Sequence, residues 1–554
     1  MPNMTAGHAV VESLVNEGCK YAFGIVGVSF LDIADGFYGR NDIRFITTRH
    51  EQGAACMASA YARISGEPGV CLATGGPGAA NLVGGLYNAF MAQAPVIAIS
   101  GAAGQGSTYR EAGQELDHVP LFRPITKLAM SIPRAERIPE LMRHAFRVAM
   151  AGKKGPVFID FPTDLMQKRT IDADILPPEV YRAHQRPAGD PALVRKAAQL
   201  LRQARHPLLI AGGGVTESGA TQEAVELAEL LSIPMVTSYR RNDALPNAHG
   251  LYVGPYGPRG AAETATLSAR ADVILAVGTR LQGFANYLQS GAVSRDARII
   301  QVEIDEKEIG RNCPVHVGIL GDAKSVLLSI LEALRAEGAE GGDPAWRREA
   351  EELKAKRRQR LNAEGRISGT MISPRRVYAE LRKVITPETV MILDAGACAA
   401  YGYDRLDFQT PHTFISPPTG GLGYAIPEAI GAKLARPHSP VIAINGDGGF
   451  LFNAQELETA VREKVPTITL VMNNNIYGSE KALQQAQFGD RFVGADLTNP
   501  RFDKLAELYG AKGYYVDRVE QLAEVVKIAM SNEVSSVIEV PVDPNDMPRG
   551  GGGG

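Results

Sequence analysis

Only five cysteines occur in 554 residues, and Cys19, Cys56, Cys71, Cys313 and Cys398 show no CxxC spacing. That argues against a disulfide framework and against a thiolate zinc site. Charge of one sign is lacking too: 58 Lys and Arg stand against 61 Asp and Glu, so nothing marks a surface for nucleic acid or membrane. No apolar run reaches the roughly 18 residues a membrane helix needs, and the N-terminus has no charged-then-apolar leader. A soluble, cytoplasmic protein acting on a small molecule is the expectation.

What the sequence does have is length and alternation. At about 100–200 residues per domain, the chain holds roughly three domains. Short apolar runs such as "GVCLATGG", "ADVILAVG" and "SPVIAINGDGG" alternate with longer amphipathic ones. Continuous apolar strands between helical segments mark parallel sheets covered on both faces. The expected fold class is therefore α/β, with three parallel-sheet α/β domains at residues 1–165, 190–333 and 374–545. The proline- and charge-rich stretch Met166–Pro191 separates the first two. Residues 334–373, charged and spotted with glycine, read as a linker with an exposed helix, and 546–554 as a flexible glycine-rich tail.

Chemistry enters with "VIAINGDGG" and "PTITLVMNNN", two strands joined by the helix-like "NAQELETAVREK". Asp447 and Asn474 then lie at strand carboxyl ends, where open α/β sheets bind ligands. A carboxylate, a side-chain amide and a backbone carbonyl are hard oxygen ligands suited to Mg²⁺, which completes its octahedron with phosphate and water. Glycines at 446, 448 and 449 permit close backbone approach, and the helix N-terminus beyond them favours an anion. The inference is a metal-bridged diphosphate; the competing reading is a plain tight turn. In the first third, "RHEQGAACMASAYAR" sets Glu51 at a strand-to-helix junction among small residues, suited to holding or delivering a proton. Taken alone, it is a first-turn carboxylate favoured by the helix dipole. His50 and His118 have no carboxylate or hydroxyl partner at motif spacing and read as solvent-facing or structural, and Cys398 as a small apolar residue.

The ordered series "FGIVG", "RHEQGAACMASAYAR", "ATGGPGAANL", "GQELDHVPLFRPITK", "GDGGF" and "NNN" resembles the thiamine-diphosphate-dependent enzymes of the acetolactate synthase and pyruvate oxidase group, over nearly the whole chain. The resemblance implies a pyrimidine-binding, a central and a diphosphate-binding domain. It makes Asp447, Asn474 and the carbonyl of Ile476 ligands of Mg²⁺, and Glu51 the partner of the aminopyrimidine. Leu422 becomes the apolar wedge that bends thiamine diphosphate, and Gly420 a carbonyl for its amino group. Gly396 and Ala397 fall beside the diphosphate, with Gly446, Gly448, Gly449, Tyr477 and Gly478 in the same cofactor site. Gln114 acts with Glu51 in catalysis, Gly27, Val28 and Lys127 line the substrate pocket, and the active site lies between subunits of a homodimer or homotetramer. The cofactor performs the carbon–carbon chemistry; the chain supplies a carboxylate, a bent geometry and a dry pocket.

The substrate pocket departs from that group. Gly113 stands where the group has an aromatic residue, and Ser479, Glu480 and Leu483 replace apolar side chains and a tryptophan. The expected pocket is roomier and has gained a carboxylate; Glu480 either handles a substrate proton or merely begins a helix. The resulting expectation is 2-oxo acid decarboxylation and carboligation, with a 2-oxo acid or aldehyde as substrate. The alternative is a 2-hydroxyacyl-CoA lyase or an oxalyl-CoA-decarboxylase-like enzyme acting on an acyl-CoA. A non-catalytic nucleotide-binding scaffold has no need of Glu51, Asp447 and Asn474 together. In the central domain Gly213, Arg280, Asp305 and Asp322 suggest a nucleotide cleft, an aspartate gripping ribose and Arg280 a phosphate. FAD, ADP, CoA or nothing would occupy it.

Overall fold

The computed structural model describes residues 3–183 and 185–547. Three six-stranded sheets, every pairing in them parallel, follow one another along the chain. The first runs Arg44–Thr47, Tyr21–Gly24, Gly69–Ala73, Val96–Ala102, Val157–Pro162, Leu128–Ser131 in spatial order. The central sheet runs Tyr252–Pro255, Met235–Thr237, Pro207–Ala211, Val273–Val277, Arg298–Glu303, Val317–Leu320. The third runs Phe414–Ile415, Val390–Leu393, Val441–Gly446, Ile468–Asn473, Ser536–Pro541, Lys512–Tyr515. Their central strands are buried throughout, which is why they read as unbroken apolar runs rather than alternating ones.

Two features fix how the first and third sheets meet. The helix Glu51–Ser65 is buried on nearly every side, Glu51 included. It lies against the helix Ala425–Ala435, so close that a side chain at Gly431 would collide with the Met57 carbonyl. Ala60 on the first helix and Ala425, Ala429, Gly431 and Ala432 on the second are small enough to allow that approach. Glu456, at the head of the helix Glu456–Arg462, accepts from the backbone N–H groups of Arg49 (3.1 Å) and His50 (3.0 Å). A carboxylate of the third domain thus satisfies orphan donors at the start of the helix that carries Glu51.

The helix expected in the linker is Pro344–Glu364, but it is not simply exposed. Trp346, Ala350, Arg357 and Leu361 are buried along one face, at the three-and-four spacing of a helix stripe. The Trp346 indole donates to the Pro207 carbonyl (2.8 Å), and the Arg357 guanidinium donates to Asp404 (2.9 Å). Arg360 bridges Glu263 and Asp404, each at 2.8 Å. The glycine-rich end from residue 548 lies outside the described residues. Asp546 is already fixed, accepting from Ser373 and from the Tyr401 hydroxyl (3.0 Å) and pairing with Arg375 (3.1 Å).

Candidate active site

The cofactor half-site is built at four adjoining segments of the third domain. The strand Val441–Gly446 ends in Gly446, and Asp447 opens the short helix Asp447–Phe450, 2 % exposed. The neighbouring strand Ile468–Asn473 delivers Asn474, buried, and Ile476 beyond it. On the other side the strand Val390–Leu393 ends at Gly396, whose φ of +106° suits glycine alone. The fourth segment is the Gly420–Tyr424 loop, with Gly420 and Gly423 also at positive φ. A Cβ added at Gly420 or Gly446 would meet nothing within 4 Å, so both border open space. Gly448 leaves room for the Tyr477 ring, and Gly478 lies against Ala397, where a Cβ would come within 3.1 Å.

Those residues fit a diphosphate and a hard cation. Among the described residues no cluster of three or more His, Cys, Asp or Glu side chains could hold a metal. Any ion at Asp447 therefore depends on one carboxylate plus amide and carbonyl oxygens, the set that needs phosphate and water to complete it. Burial raises the Asp447 carboxyl above its ordinary range, while hydrogen bonds from the backbone N–H groups of Gly448, Asn475 and Asn474 and from the Asn499 side chain oppose that rise. Asn499 was invisible in the sequence: its amide nitrogen sits 2.8 Å from Asp447 Oδ2 and 3.1 Å from the side-chain oxygens of Asn473 and Asn475. It stands 52 positions beyond Asp447, with only an Asn-Pro turn to mark it. Cys398 is buried as expected, and burial pushes its thiol up to about 12.

The second half-site belongs to the first domain. Glu51 is the first residue of its helix, and the Asn81 side chain donates to its Oε2 at 3.0 Å. A Cβ at Gly78 would lie 3.2 Å from Glu51 Oε1, so the glycine loop closes over the carboxylate. Gln114, at φ +63°, is held by the Thr74 hydroxyl donating to its Oε1 (3.0 Å). Ser29 lies 2.9 Å from Thr74 Oγ1 and accepts from the Gly75 N–H at 2.8 Å. Gly27 is obligatory because any side chain would strike Thr74. Val28 projects into solvent (73 % exposed), and a Cβ at Gly113 would meet nothing within 4 Å.

Several sequence expectations need correction. His118 is buried and has a carboxylate partner after all: Asp160, 42 residues on, lies 2.9 Å from its Nδ1, while its Nε2 accepts from the Gly76 N–H at 2.9 Å. The short helix His118–Phe122 packs against the strand that carries Asp160, a meeting that spacing in the chain could not reveal. Lys127 does not join Gln114. It precedes the strand Leu128–Ser131 and so lies at the sheet edge opposite the one where Gly24, Ala73 and Ala102 end. There its ammonium donates to the Ala151 carbonyl (2.7 Å), and burial lowers it to about 8. His50 accepts from the Gln52 N–H at 3.1 Å, a helix cap. Ser479, Glu480 and Leu483 stand on the first turns of the helix Gly478–Phe488, Glu480 exposed and Leu483 41 % exposed.

Gly213, Arg280 and Asp322 do share one cavity, of about 1360 Å³, between the first and central domains and reaching Ser416 and Pro418 of the third. Asp305 does not line it; its carboxylate caps the Lys307 N–H (3.1 Å) and pairs with Lys153 (3.5 Å). Ten of the lining residues are Lys or Arg, against Glu217, Glu303 and Asp322. Tyr239, Tyr256, Phe284 and Tyr287 add aromatic surface. The buried hydroxyls of Ser218 and Tyr287, also in the lining, have no hydrogen-bond partner among the described residues.

A carboxylate-bearing helix in one parallel α/β domain and a GDG–NNN diphosphate cradle in another define a class: enzymes that work with thiamine diphosphate. The comparisons agree, for the chain belongs to the thiamine pyrophosphate enzyme family. The N-terminal TPP binding domain matches residues 4–121, the central domain 194–330 and the C-terminal TPP binding domain 394–540. A protein named probable acetolactate synthase large subunit, from Methanocaldococcus jannaschii, is 35% identical over 570 residues, covering 99% of this chain and 94% of its own. A sulfoacetaldehyde acetyltransferase from Alcaligenes xylosoxydans xylosoxydans is 34% identical, covering 97% and 93%. An acetolactate synthase from Mycobacterium bovis is 34% identical, covering 98% and 88%. This is a thiamine-diphosphate-dependent enzyme that transfers acyl or aldehyde groups.

Proposed function

We propose that the enzyme breaks a 2-oxo acid beside its carbonyl and passes the acyl or hydroxyalkyl group to an acceptor, in a site shared between two copies of the chain. Thiamine diphosphate, when bound, supplies the carbon that attacks the substrate carbonyl and the electron sink that follows. The Asp447 carboxylate, the Asn474 amide and the Ile476 carbonyl would hold Mg²⁺, which would bind the cofactor's diphosphate to this domain. Glu51, steadied by Asn81, takes and returns a proton at the aminopyrimidine. Gln114 has its oxygen occupied by Thr74, which leaves its amide N–H free to donate toward the substrate. A cytoplasmic location belongs to this reading, supported by five free, buried cysteines.

The observation that carries it is the meeting, at adjoining strand ends, of Asp447, Asn474 and glycines that face open space. Relatives named acetolactate synthase and sulfoacetaldehyde acetyltransferase support acyl transfer as the reaction class. Gly113 puts no side chain where the group has an aromatic residue, which supports a donor or acceptor bulkier than pyruvate.

The cationic cavity favours a second reading. Its charge and unpaired hydroxyls suit FAD, ADP or CoA, and CoA there would bring a thioester substrate, as in a 2-hydroxyacyl-CoA lyase. A proton-NMR time course with Mg²⁺ and thiamine diphosphate separates the two. Parallel samples hold pyruvate, pyruvate with an aldehyde, sulfoacetaldehyde, and a 2-hydroxyacyl-CoA. A hydroxy-keto product or acetyl transfer supports the first reading, whereas cleavage of the thioester alone supports the second. Absorbance and mass of whatever the denatured protein releases identify the nucleotide.

A further inference from the structure

We infer that Asp394 is the positioning residue of the cofactor cradle, tying together three of the four backbone segments that border it. Its carboxylate is buried, 1 % exposed, and accepts from the Gly423 N–H at 3.0 and 2.9 Å through its two oxygens. Oδ1 also accepts from the Tyr424 N–H at 3.2 Å, and Oδ2 from the Asn445 side chain at 3.1 Å. A Cβ at Gly449 would collide with Oδ2, so the turn after Asp447 packs directly on the same group.

With its own strand end, these contacts join three walls of the site. Asp394 itself leaves the strand Val390–Leu393 two residues before Gly396. Gly423 and Tyr424 immediately follow Leu422, in a loop whose glycines at 420, 421 and 423 give it no stiffness of its own. Asn445 lies two residues before Asp447, and Gly449 two after it. One buried acceptor with four donor contacts therefore sets the conformation of Leu422 against the Asp447 turn. Hydrogen bonds to a charged, buried acceptor are the strong kind, and leaving two backbone N–H groups without it is costly. The inference rests on the proposed reading of Gly420 and Leu422 as cofactor contacts.

Three variants of the full-length protein test it: Asp394→Ala, Asp394→Asn and Asn445→Ala. Two measurements are made: amide hydrogen exchange of residues 420–424 without cofactor, and calorimetric affinity for thiamine diphosphate at saturating Mg²⁺. Asp394→Ala should speed exchange in 420–424 and weaken affinity at least about tenfold, the size expected of groups that orient a binding shell. Asp394→Asn should return both close to the wild-type values. Its carbonyl still accepts from Gly423, and its amide can donate to Asn445 Oδ1, which has no partner among the described residues. Should Asp394→Ala not fold, Asn445→Ala must still speed exchange in 420–424, by a smaller factor. Unchanged exchange in the folded variants would overturn the inference. So would faster exchange with unchanged affinity, which leaves Asp394 a merely structural residue. A wild-type protein that takes up no thiamine diphosphate would instead overturn the functional reading, while the exchange result stands by itself.

Discussion

At the scale of single residues, open space at Gly113 and a buried proton at Glu428 lead to different experiments. Gly113 lies on a strained loop in which Tyr109, Glu111 and Gln114 all take positive φ, yet Gly113 itself needs no glycine-only conformation. Gly113→Phe should therefore fold normally and, on the proposed reading, fill the substrate pocket beside Gln114. The expected outcome is a narrowed substrate range, with kcat/KM for bulky partners falling more than tenfold and that for the smallest one little changed. An unaltered range would remove Gly113 from the pocket wall. Glu428 is buried completely, accepts from Asn88 at 3.0 Å through Oε1, and leaves Oε2 unpaired. Arg63, Asp394, Cys56 and Tyr424 are the ionisable groups around it, and burial, the largest influence, pushes it up to about 8. The folded protein thus keeps a proton that the unfolded chain releases above about pH 4.3. Stability from this group is whole below that value and is lost as pH rises through about 8. Glu428→Gln should flatten the fall in melting temperature between pH 6 and 9 and exceed wild type at the alkaline end, by on the order of 2 kcal/mol. Parallel curves would show that Glu428 does not carry that proton.

Secondary-structure elements show how much was legible and why the rest was not. Continuous apolar strands announced all three sheets, because a strand buried on both faces has to be apolar along its length. Asp447 and Asn474 were legible for a similar reason: glycine turns and asparagines at strand ends are local, and chain order puts them side by side. Asn499, Asp160 and Glu456 were not, since their roles exist only after distant segments meet. The helix Pro344–Glu364 shows the same divide. Its charge hid a buried face, for the residue that holds it down is an arginine. Arg357 sits 6 % exposed at its side chain beside Asp404, which is 5 % exposed. Breaking a buried pair by removing one partner costs about 3–5 kcal/mol, because the other charge is left unpaired. Arg357→Ala should lower the unfolding midpoint accordingly. Arg358→Ala, whose partner Asp407 is met at an exposed site, should cost less than about 1 kcal/mol. Equal effects in denaturant titrations would mean the buried pair is not what clamps the helix.

At the scale of the whole molecule, the two half-sites raise the question of which copy completes which. Glu51 and Asp447 have no hydrogen bond to each other within the chain; their domains are joined by helix packing, by Glu456 and by hydrogen bonds such as Asn88 to Glu428. Large apolar side chains lie exposed around both halves: Val28 (73 %) and Tyr87 (43 %) on the first domain, Phe452 (52 %), Leu483 (41 %), Phe488 (54 %) and Val493 (82 %) on the third. On the proposed shared site, a two-fold interface that sets one copy's first domain against the other's third would cover such side chains. Glu51→Gln and Asp447→Ala should then each be nearly inactive alone. The first should lose about 10²–10⁴-fold in turnover with its melting temperature unchanged, and the second should lose cofactor retention. Mixing the two under conditions that exchange subunits should restore activity. In a hybrid, one site draws its glutamate from one parent and its aspartate from the other, both intact, while the second site carries both lesions. Activity that stays absent after verified exchange would mean that each chain completes its own site, and the shared-site reading would fall.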